Sequence, residues 1–364
     1  MNTFGTVFRL TCWGESHGRA LGALIDGCPP GLELSESDIQ KELDRRRPGQ
    51  HIGSSPRQEN DRCEILSGVF EGKTTGMPIS VLVRNTDVQS KDYESLKNIY
   101  RPSHADLTYQ LKYGIRDYRG GGRSSGRETV ARVIGGAIAK KILAQQKIQI
   151  IGFSREIGGQ FFEHVDFSYI KKNPLRMADK KNYKKALQIL KQAKEGKDSL
   201  GGVAEIHVQN PSAGLGSPVF GKLESDLARA CLSVGSVKGF EIGEGFALSR
   251  MNGSEANDSF LNSSSKSVLK DFKDQSFLTQ RNANGGILGG ISTGEDIWFR
   301  VAVKPPSSIG QSQETIDSSG KKVKIKIEGR YDTIILPRVI PVLESMTALV
   351  LVDHLLLHRA QCGN

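Results

Sequence analysis

Cysteine is sparse and unpatterned in this chain. Its five residues (Cys12, Cys28, Cys63, Cys231 and Cys362) are odd in number and contain no C-x-x-C pair, which speaks against a disulfide framework and a zinc site; no metal is expected. Aromatic residues make up 7% of the chain, and Trp and Tyr do not interleave with the basic clusters, so a nucleic-acid surface is disfavoured. No basic-then-apolar leader opens the sequence, and no apolar run reaches the length of a membrane span. The expectation is a cytoplasmic chain with no membrane partner. No short-period repeat and no linker-like boundary is visible, so residues 1–364 read as one large α/β (α+β) domain.

What is present is glycine, 41 residues of it, and a net charge of +10. The charge points to anionic partners: nucleic acid, a membrane surface or small phosphorylated acids. The two abundances meet in Tyr118-Arg-Gly-Gly-Gly-Arg-Ser-Ser-Gly-Arg-Glu-Thr129. Gly120 to Gly122 let the backbone come close to something. Ser125 with Glu128 three residues on is a capping-box spacing, which predicts a helix from about Gly126. Val130, Val133, Ile134, Ala137, Ile138 and Ile142 then share one helical face. Arg119, Arg123 and Arg127 are expected to converge at its positive end, a place for an anion. It is not a P-loop, because no Gly-Lys-Ser/Thr follows the glycines.

Strands are expected at Thr6–Thr11, Ala20–Ile25, Cys63–Phe70, Ile79–Val83, Ile148–Ser154, Val203–Val208, Ile297–Val303 and Lys322–Ile327. Helices are expected from Ser35 or Ser37 through Leu43, at Leu107–Tyr113, Asn182–Ala193 and Phe220–Leu232, and onward from Pro337. Residues 250–281, rich in Ser, Asn, Asp and Lys, read as a long mobile loop or lid.

Several groups could carry chemistry. His17 sits in Gly14-Glu-Ser-His-Gly18, and His104 lies between Pro102 and Asp106. Histidine moves protons near neutral pH, though a loop histidine is often only a local hydrogen-bonding residue. Asp106 either orients His104 or caps the following helix. Arg45, Arg46 and Arg47 offer guanidinium forks suited to carboxylate or phosphate, or else form a solvated helix end. Asp332, between Arg330 and Arg338, is either a base or half of a structural ion pair.

Together these segments resemble chorismate synthases. The resemblance is carried by Gly14–Gly18, Arg45-Arg-Arg-Pro-Gly49, Ile65-Leu-Ser-Gly-Val-Phe-Glu-Gly72 and Arg101-Pro-x-His-Ala-Asp106. It continues through Tyr118–Ser125 with Arg127-Glu-Thr129, Gly285-Gly-Ile-Leu-Gly-Gly-Ile291, Lys304-Pro-x-Ser-Ser308 and Gly329-Arg-x-Asp332, in the family's order. It implies a β-α-β sandwich assembled as a homotetramer. It implies an anti 1,4-elimination of phosphate from 5-enolpyruvylshikimate 3-phosphate to give chorismate, with reduced FMN required but not consumed. His17 would be the acid for reduced flavin or departing phosphate, His104 a second catalytic histidine, and Asp332 the aspartate that helps take up the C6 proton through the flavin. Arg123, Ser124, Ser125, Gly235, Ser236, Gly289, Lys304, Pro305, Pro306, Ser307, Ser308 and Arg330 match flavin-contact positions. Arg46, Arg47, Arg127 and Arg338 would bind substrate. Reduced flavin would come from an external flavin reductase, with NADPH as an indirect source of electrons.

The sequence departs from the family's usual residues at Ser103 (commonly Gly), Gly235-Ser236 (Asn-Ala), Tyr331 (His), Thr333 (Pro) and Asn282-Ala-Asn284. Two other readings stay open: a nucleic-acid-binding protein, and a family member that keeps flavin as a structural module. Phosphate release from substrate separates all three.

Overall fold

The computed structural model describes residues 1–50, 53–54, 59–86, 96–261, 278–327 and 331–363. Arg330 and residues 262–277 of the expected 250–281 loop therefore lie outside the described residues.

The first half runs β1 (Thr3–Phe4), β2 (Arg9–Gly14), β3 (Ala20–Asp26), α1 (Glu36–Arg46), β4 (Cys63–Ile65), the small hairpin β5 (Val69–Phe70) and β6 (Lys73–Thr74), β7 (Ile79–Arg84), α2 (Asp106–Tyr113) and α3 (Thr129–Gln145). The second runs β8 (Gln149–Ile157), β9 (Gln160–Phe161), α4 (Phe167–Ile170), α5 (Tyr183–Glu195), β10 (Gly202–Gln209), α6 (Leu223–Leu232), β11 (Val237–Ile242), α7 (Gly253–Ala256), β12 (Ile287–Leu288), β13 (Ile291–Ser292), β14 (Ile297–Val303), β15 (Ser312–Ile316), β16 (Lys322–Lys326) and α8 (Leu336–Cys362).

Two five-stranded antiparallel sheets result, in the orders β1-β2-β3-β7-β4 and β11-β14-β10-β8-β9. Their strands bury alternate residues, as β14 does with Ile297, Phe299, Val301 and Val303 inside and Trp298 and Arg300 outside. The buried faces turn toward each other, and α1, α3, α6 and α8 fill the space between them. Helix α3 packs on β2 and β3, α8 packs on β8 and β10, and the two helices pack on one another. The fold is thus the expected β-α-β sandwich, and one continuous apolar core reaches both sheets. Gly136 makes the α3–α8 contact possible, since a Cβ there would stand 2.2 Å from Ser345 Cβ.

Three sequence expectations are corrected. The first long strand is Arg9–Gly14, not Thr6–Thr11, because the backbone N–H groups of Thr6, Val7 and Phe8 donate to the Asp353 carboxylate instead of to a ladder. The helix expected from Gly126 begins at Thr129, after short 3₁₀ turns at Gly122–Ser124 and Gly126–Glu128. Ser125 Oγ does accept from the Arg127 N–H, but Glu128 turns to Arg132 rather than back to Ser125, so the reciprocal box is not made. Finally, α8 is long and apolar enough by length and composition to cross a bilayer, contrary to the sequence reading. In this fold 94% of its most apolar window is buried, as befits a helix packed between two sheets.

Candidate active site

A cavity of about 1570 Å³ opens at one end of the helix layer. Its walls come from segments far apart in sequence: the C-terminal turn of α1, the loop before α2, residues 115–132, the start of β11, the loop after β14 and the first turns of α8. Arg46, Arg101, Arg123, Arg127, Lys304 and Arg338 all line it, with Lys238 beside them. This is the concentration of cation that the composition anticipated.

His104 stands on this wall in a defined state. The Pro102 carbonyl 3.0 Å from Nδ1 can only accept, so Nδ1 carries the proton. Ser308 Oγ, 3.1 Å from Nε2, then donates to it. Burial, reinforced by the nearby Arg101 charge, lowers the ring's pKa below the ordinary histidine value. Arg101 is itself locked by a two-pronged pair with Asp106, at 2.8 and 2.9 Å. Asp106 also accepts from the Arg101 N–H at 3.1 Å and pairs with Arg116, so it braces the loop and does not bond the imidazole. The turn passes through Ser103 at φ 57°, the left-handed region where glycine costs least.

The sign of the His104 shift makes a prediction. Between its folded pKa and about 6.5 the unfolded chain binds the proton and the folded chain does not, so stability should fall as pH drops through that window. His104→Asn should flatten that part of a urea-denaturation pH profile; an unchanged profile would show the ring contributes nothing there.

His17 is placed one layer back. Ser16 Oγ donates to the Gly120 carbonyl at 3.3 Å and accepts from His17 Nδ1 at 3.1 Å. The imidazole lies flush against Gly120, where a Cβ would come within 2.0 Å of its Cε1. Gly120 lines the cavity, and His17 stands behind it. Across the cavity, Asp332 accepts from Arg338 Nη1 at 2.8 Å and from Ser54 Oγ at 3.5 Å. Burial lowers the Arg338 pKa, partly offset by Asp332.

Arg119, Arg123 and Arg127 all line the cavity but do not converge on one point. Arg119 pairs with Asp117, Arg123 donates to the carbonyls of Gly14 and Cys12, and Arg127 turns toward Glu59, Asp61 and Asn85. Ser124 and Ser125 line the cavity with hydroxyls bonded to Gly121 O and the Arg127 N–H, respectively. Lys304 Nζ donates to Ser103 O at 3.1 Å and Ser307 Oγ at 3.0 Å, and its pKa is lowered by burial and by Lys238. Gly235, Ser236 (φ 73°), Pro306, Ser307 and Ser308 complete this wall.

Besides His17, three named residues lie off the cavity wall. Arg47 points to the other side of α1, pairs with Asp44 and lines a separate groove with Arg62. Gly289 forms the β12–β13 turn and is not on the cavity wall, and Pro305 is one residue off it. Sequence reasoning missed Lys238, Arg101 and Asp61. Lys238 had no motif around it, whereas Arg101 lay within a recognised motif.

The chain's sequence matches the chorismate synthase family model over residues 8–356. It is 50% identical over 358 residues to a chorismate synthase of Roseiflexus castenholzii, covering 98% of each chain. It is 52% identical over 360 residues to one from Methanosarcina mazei, covering 98% of this chain and 96% of that one. A crystal structure of a chorismate synthase superposes with a TM-score of 0.75 at 32% identity, covering 97% of this chain and 93% of the other. With the sandwich fold and the cation-lined cavity, these matches mean that the chain belongs to the chorismate synthase family, a family of lyases.

Proposed function

We propose that this cavity carries out the anti 1,4-elimination of phosphate from 5-enolpyruvylshikimate 3-phosphate, giving chorismate, with reduced FMN bound beside the substrate. The C3–O bond to phosphate breaks, a proton leaves C6 and a conjugated diene forms, with no net oxidation. The observation that carries this reading is the joining of cations, His104 and Asp332 on the wall of one cavity. A substrate with two carboxylates and a phosphate ester, together with a flavin phosphate, needs paired cations to leave water. The volume of about 1570 Å³ exceeds the usual range for one small ligand, about 300–1,000 Å³, and suits two held together.

The residues present fit a flavin. Ser124, Ser125, Ser236, Ser307 and Ser308 supply hydroxyl and backbone groups, Lys304 and Arg123 supply charge, and Gly120–Gly122 leave a wall without side chains. When bound, reduced FMN supplies transient electron density to a ring whose phosphate is otherwise a poor leaving group. The protein's own groups do the rest. Arg46, Arg127 and Arg338 bind and orient the anionic substrate, while the other cations of the wall receive the charge that grows on the leaving phosphate. Asp332, held by Arg338 and Ser54, handles the C6 proton. His104 keeps its Nε2 toward Ser308, and His17 is the proton donor at the Gly120 end. We further infer a cytoplasmic homotetramer that receives reduced flavin from a separate reductase, with NADPH as the indirect electron source.

The test is anaerobic phosphate release from 5-enolpyruvylshikimate 3-phosphate with chemically reduced FMN. Release with reduced FMN and none with oxidised FMN is the expected result. Flavin binding without release would mean that the chain has kept the module and lost the reaction.

A further inference from the structure

Asp61 is in none of the groups assigned so far, yet it sits behind two of the cavity's arginines. Its carboxylate is buried, with 0% side-chain exposure. Oδ2 accepts from Arg46 Nη2 at 2.7 Å, and Oδ1 accepts from Arg127 Nη1. The two arginines come from different elements: Arg46 ends α1, and Arg127 precedes α3. Both line the cavity. One carboxylate therefore spans two guanidinium groups from the side away from the cavity.

The backbone is bent to achieve this. Asp61 has φ 46°, a left-handed conformation in which a non-glycine residue persists only where its surroundings over-determine it. Here the two ion pairs do so. The pairing also suits the charges. Burial pushes the Asp61 carboxyl up, but Arg46 and Arg127 outweigh that and hold it below the usual carboxylate range. Without the anion, two nearby guanidinium charges would repel one another in a partly desolvated site. With it, the Arg46 fork is fixed by one Asp61 oxygen, while Arg127 Nη1 is shared between Asp61 and the cavity-lining Glu59, and both guanidinium groups keep other N–H groups for a ligand. Arg46 Nε is buried and has no acceptor among the described residues, so the pair is not saturated from behind. Asn85 Oδ1 accepts from Arg127 Nε at 3.0 Å and Thr129 Oγ1 lies 3.4 Å from Arg46 Nη1, which restricts rotation of both groups.

We propose that Asp61 is a positioning residue that sets the spacing and orientation of Arg46 and Arg127, making them one receptor for an anionic group of the substrate. The assignment rests on the elimination reading above for the identity of that substrate, and on the geometry alone for the receptor. A carboxylate that fixes the receptor before substrate arrives spares the substrate the cost of ordering it. Its removal should weaken substrate capture and spare flavin binding, since Lys304, Ser307 and Ser308 are on other elements.

The experiment compares the native chain with Asp61→Asn and Asp61→Glu. Asp61→Asn removes the charge and is expected to raise KM for 5-enolpyruvylshikimate 3-phosphate about 30-fold, the scale of one lost charge-assisted hydrogen bond, with kcat within threefold and reduced-FMN affinity within twofold. Asp61→Glu keeps the charge, so the buried arginines stay paired and the chain folds, but moves the oxygens by one methylene. It is expected to raise KM about tenfold. If Asp61→Asn does not fold, Asp61→Glu decides. A native KM for Asp61→Glu would show that only charge neutrality matters and would overturn the proposal. A loss of flavin affinity and kcat in step with KM would overturn it too, because that is the mark of a general structural role. If the native protein releases no phosphate from this substrate, the elimination reading fails separately. Binding of inorganic phosphate by titration calorimetry then tests Asp61: about tenfold weaker binding in Asp61→Glu supports it, and equal binding, or none to the native chain, overturns it.

Discussion

Replacing Gly120 with alanine is expected to slow phosphate release about 100-fold while changing reduced-flavin affinity only a few-fold, since displacing a reacting group by about 1 Å costs on that order. The added Cβ would meet His17 at 2.0 Å from Cε1 and 2.2 Å from Nδ1, which no imidazole can accommodate without moving. Nδ1 is also the atom that faces Ser16 Oγ, so the displacement breaks the bond that orients the ring. The backbone adds its own penalty: Gly120 has φ 72°, and an L residue there costs about 1–2 kcal/mol. That strain lowers stability modestly, whereas the displaced histidine lowers turnover. Steady-state phosphate release, reduced-flavin titration and a melting curve on one preparation distinguish the two. If turnover falls only as far as the folded fraction does, His17 has no part in the chemistry. Gly121 is the natural control: its φ is also positive, at 85°, but its nearest non-neighbour atom would be Ser124 Oγ at 3.2 Å.

The second large effect concerns the core. Glu344→Ala is expected to cost about 3–5 kcal/mol, the usual penalty for leaving buried charges without their partner. Glu344 lies on α8 with 2% side-chain exposure. It takes both forks of Arg45, at 2.6 and 2.8 Å, accepts from Lys140 Nζ at 2.8 Å and accepts the Gly152 N–H at 3.1 Å. Glu42 also pairs with Arg45 and Lys140, but cannot balance both alone. Arg176 stands close by, with its pKa pushed down to about 10 by burial and by Arg45. Deleting Glu344 therefore strands cations contributed by α1 and α3 against α8. A drop in the urea midpoint measures this. The same carboxyl sets a pH window: burial raises its pKa, but Lys140 and Arg45 prevail and hold it well below the usual carboxylate range. Its stabilising contribution is thus full above the unfolded value of about 4.3 and is lost only as pH falls toward the folded one. A fold unaffected by Glu344→Ala would mean that water already reaches this network.

Much of the scaffold was legible from pattern. The strand at Ile297–Val303 alternates cleanly and was read to the residue, and the helix expected at Asn182–Ala193 spans Tyr183–Glu195. The hairpin strand Ser312–Ile316, beside Lys322–Lys326, went unread because its residues are mostly polar on both faces. Val237–Ile242 went unread because Lys238 and Gly239 interrupt its apolar run. In the site, the glycine-loop pattern named Arg123 and Arg127 and the family resemblance named Arg46 and His104, all now on the cavity wall, but neither could say which way each side chain turns. Arg46 and Arg47 are adjacent, yet α1 ends at Arg46, which lines the cavity, and the non-helical backbone of Arg47 carries its side chain to Asp44 and a separate groove. Glu128 had the spacing of a cap and found Arg132 instead. Asp61 carried no signal at all, because its importance comes from two arginines, 15 and 66 residues away, that only the fold brings together.

Helix α8 touches both halves of the molecule, and its Asp353 holds the backbone of Thr6 to Phe8 across as many as 347 positions of sequence. The ribosome makes this helix after every other described element, some tens of seconds after the strands it joins, at about 5–20 residues per second. Until then β8 and β10, and the sides of α1, α3 and α6 that face this helix, lack the side chains that cover them. The cavity too lacks Ile335, Arg338, Val339 and Val342, which come from the start of the same helix. Closure of the sandwich and completion of the site are therefore one late event in the life of each chain. The nascent protein must carry a large uncovered apolar surface up to that moment, the circumstance in which chaperones find their clients.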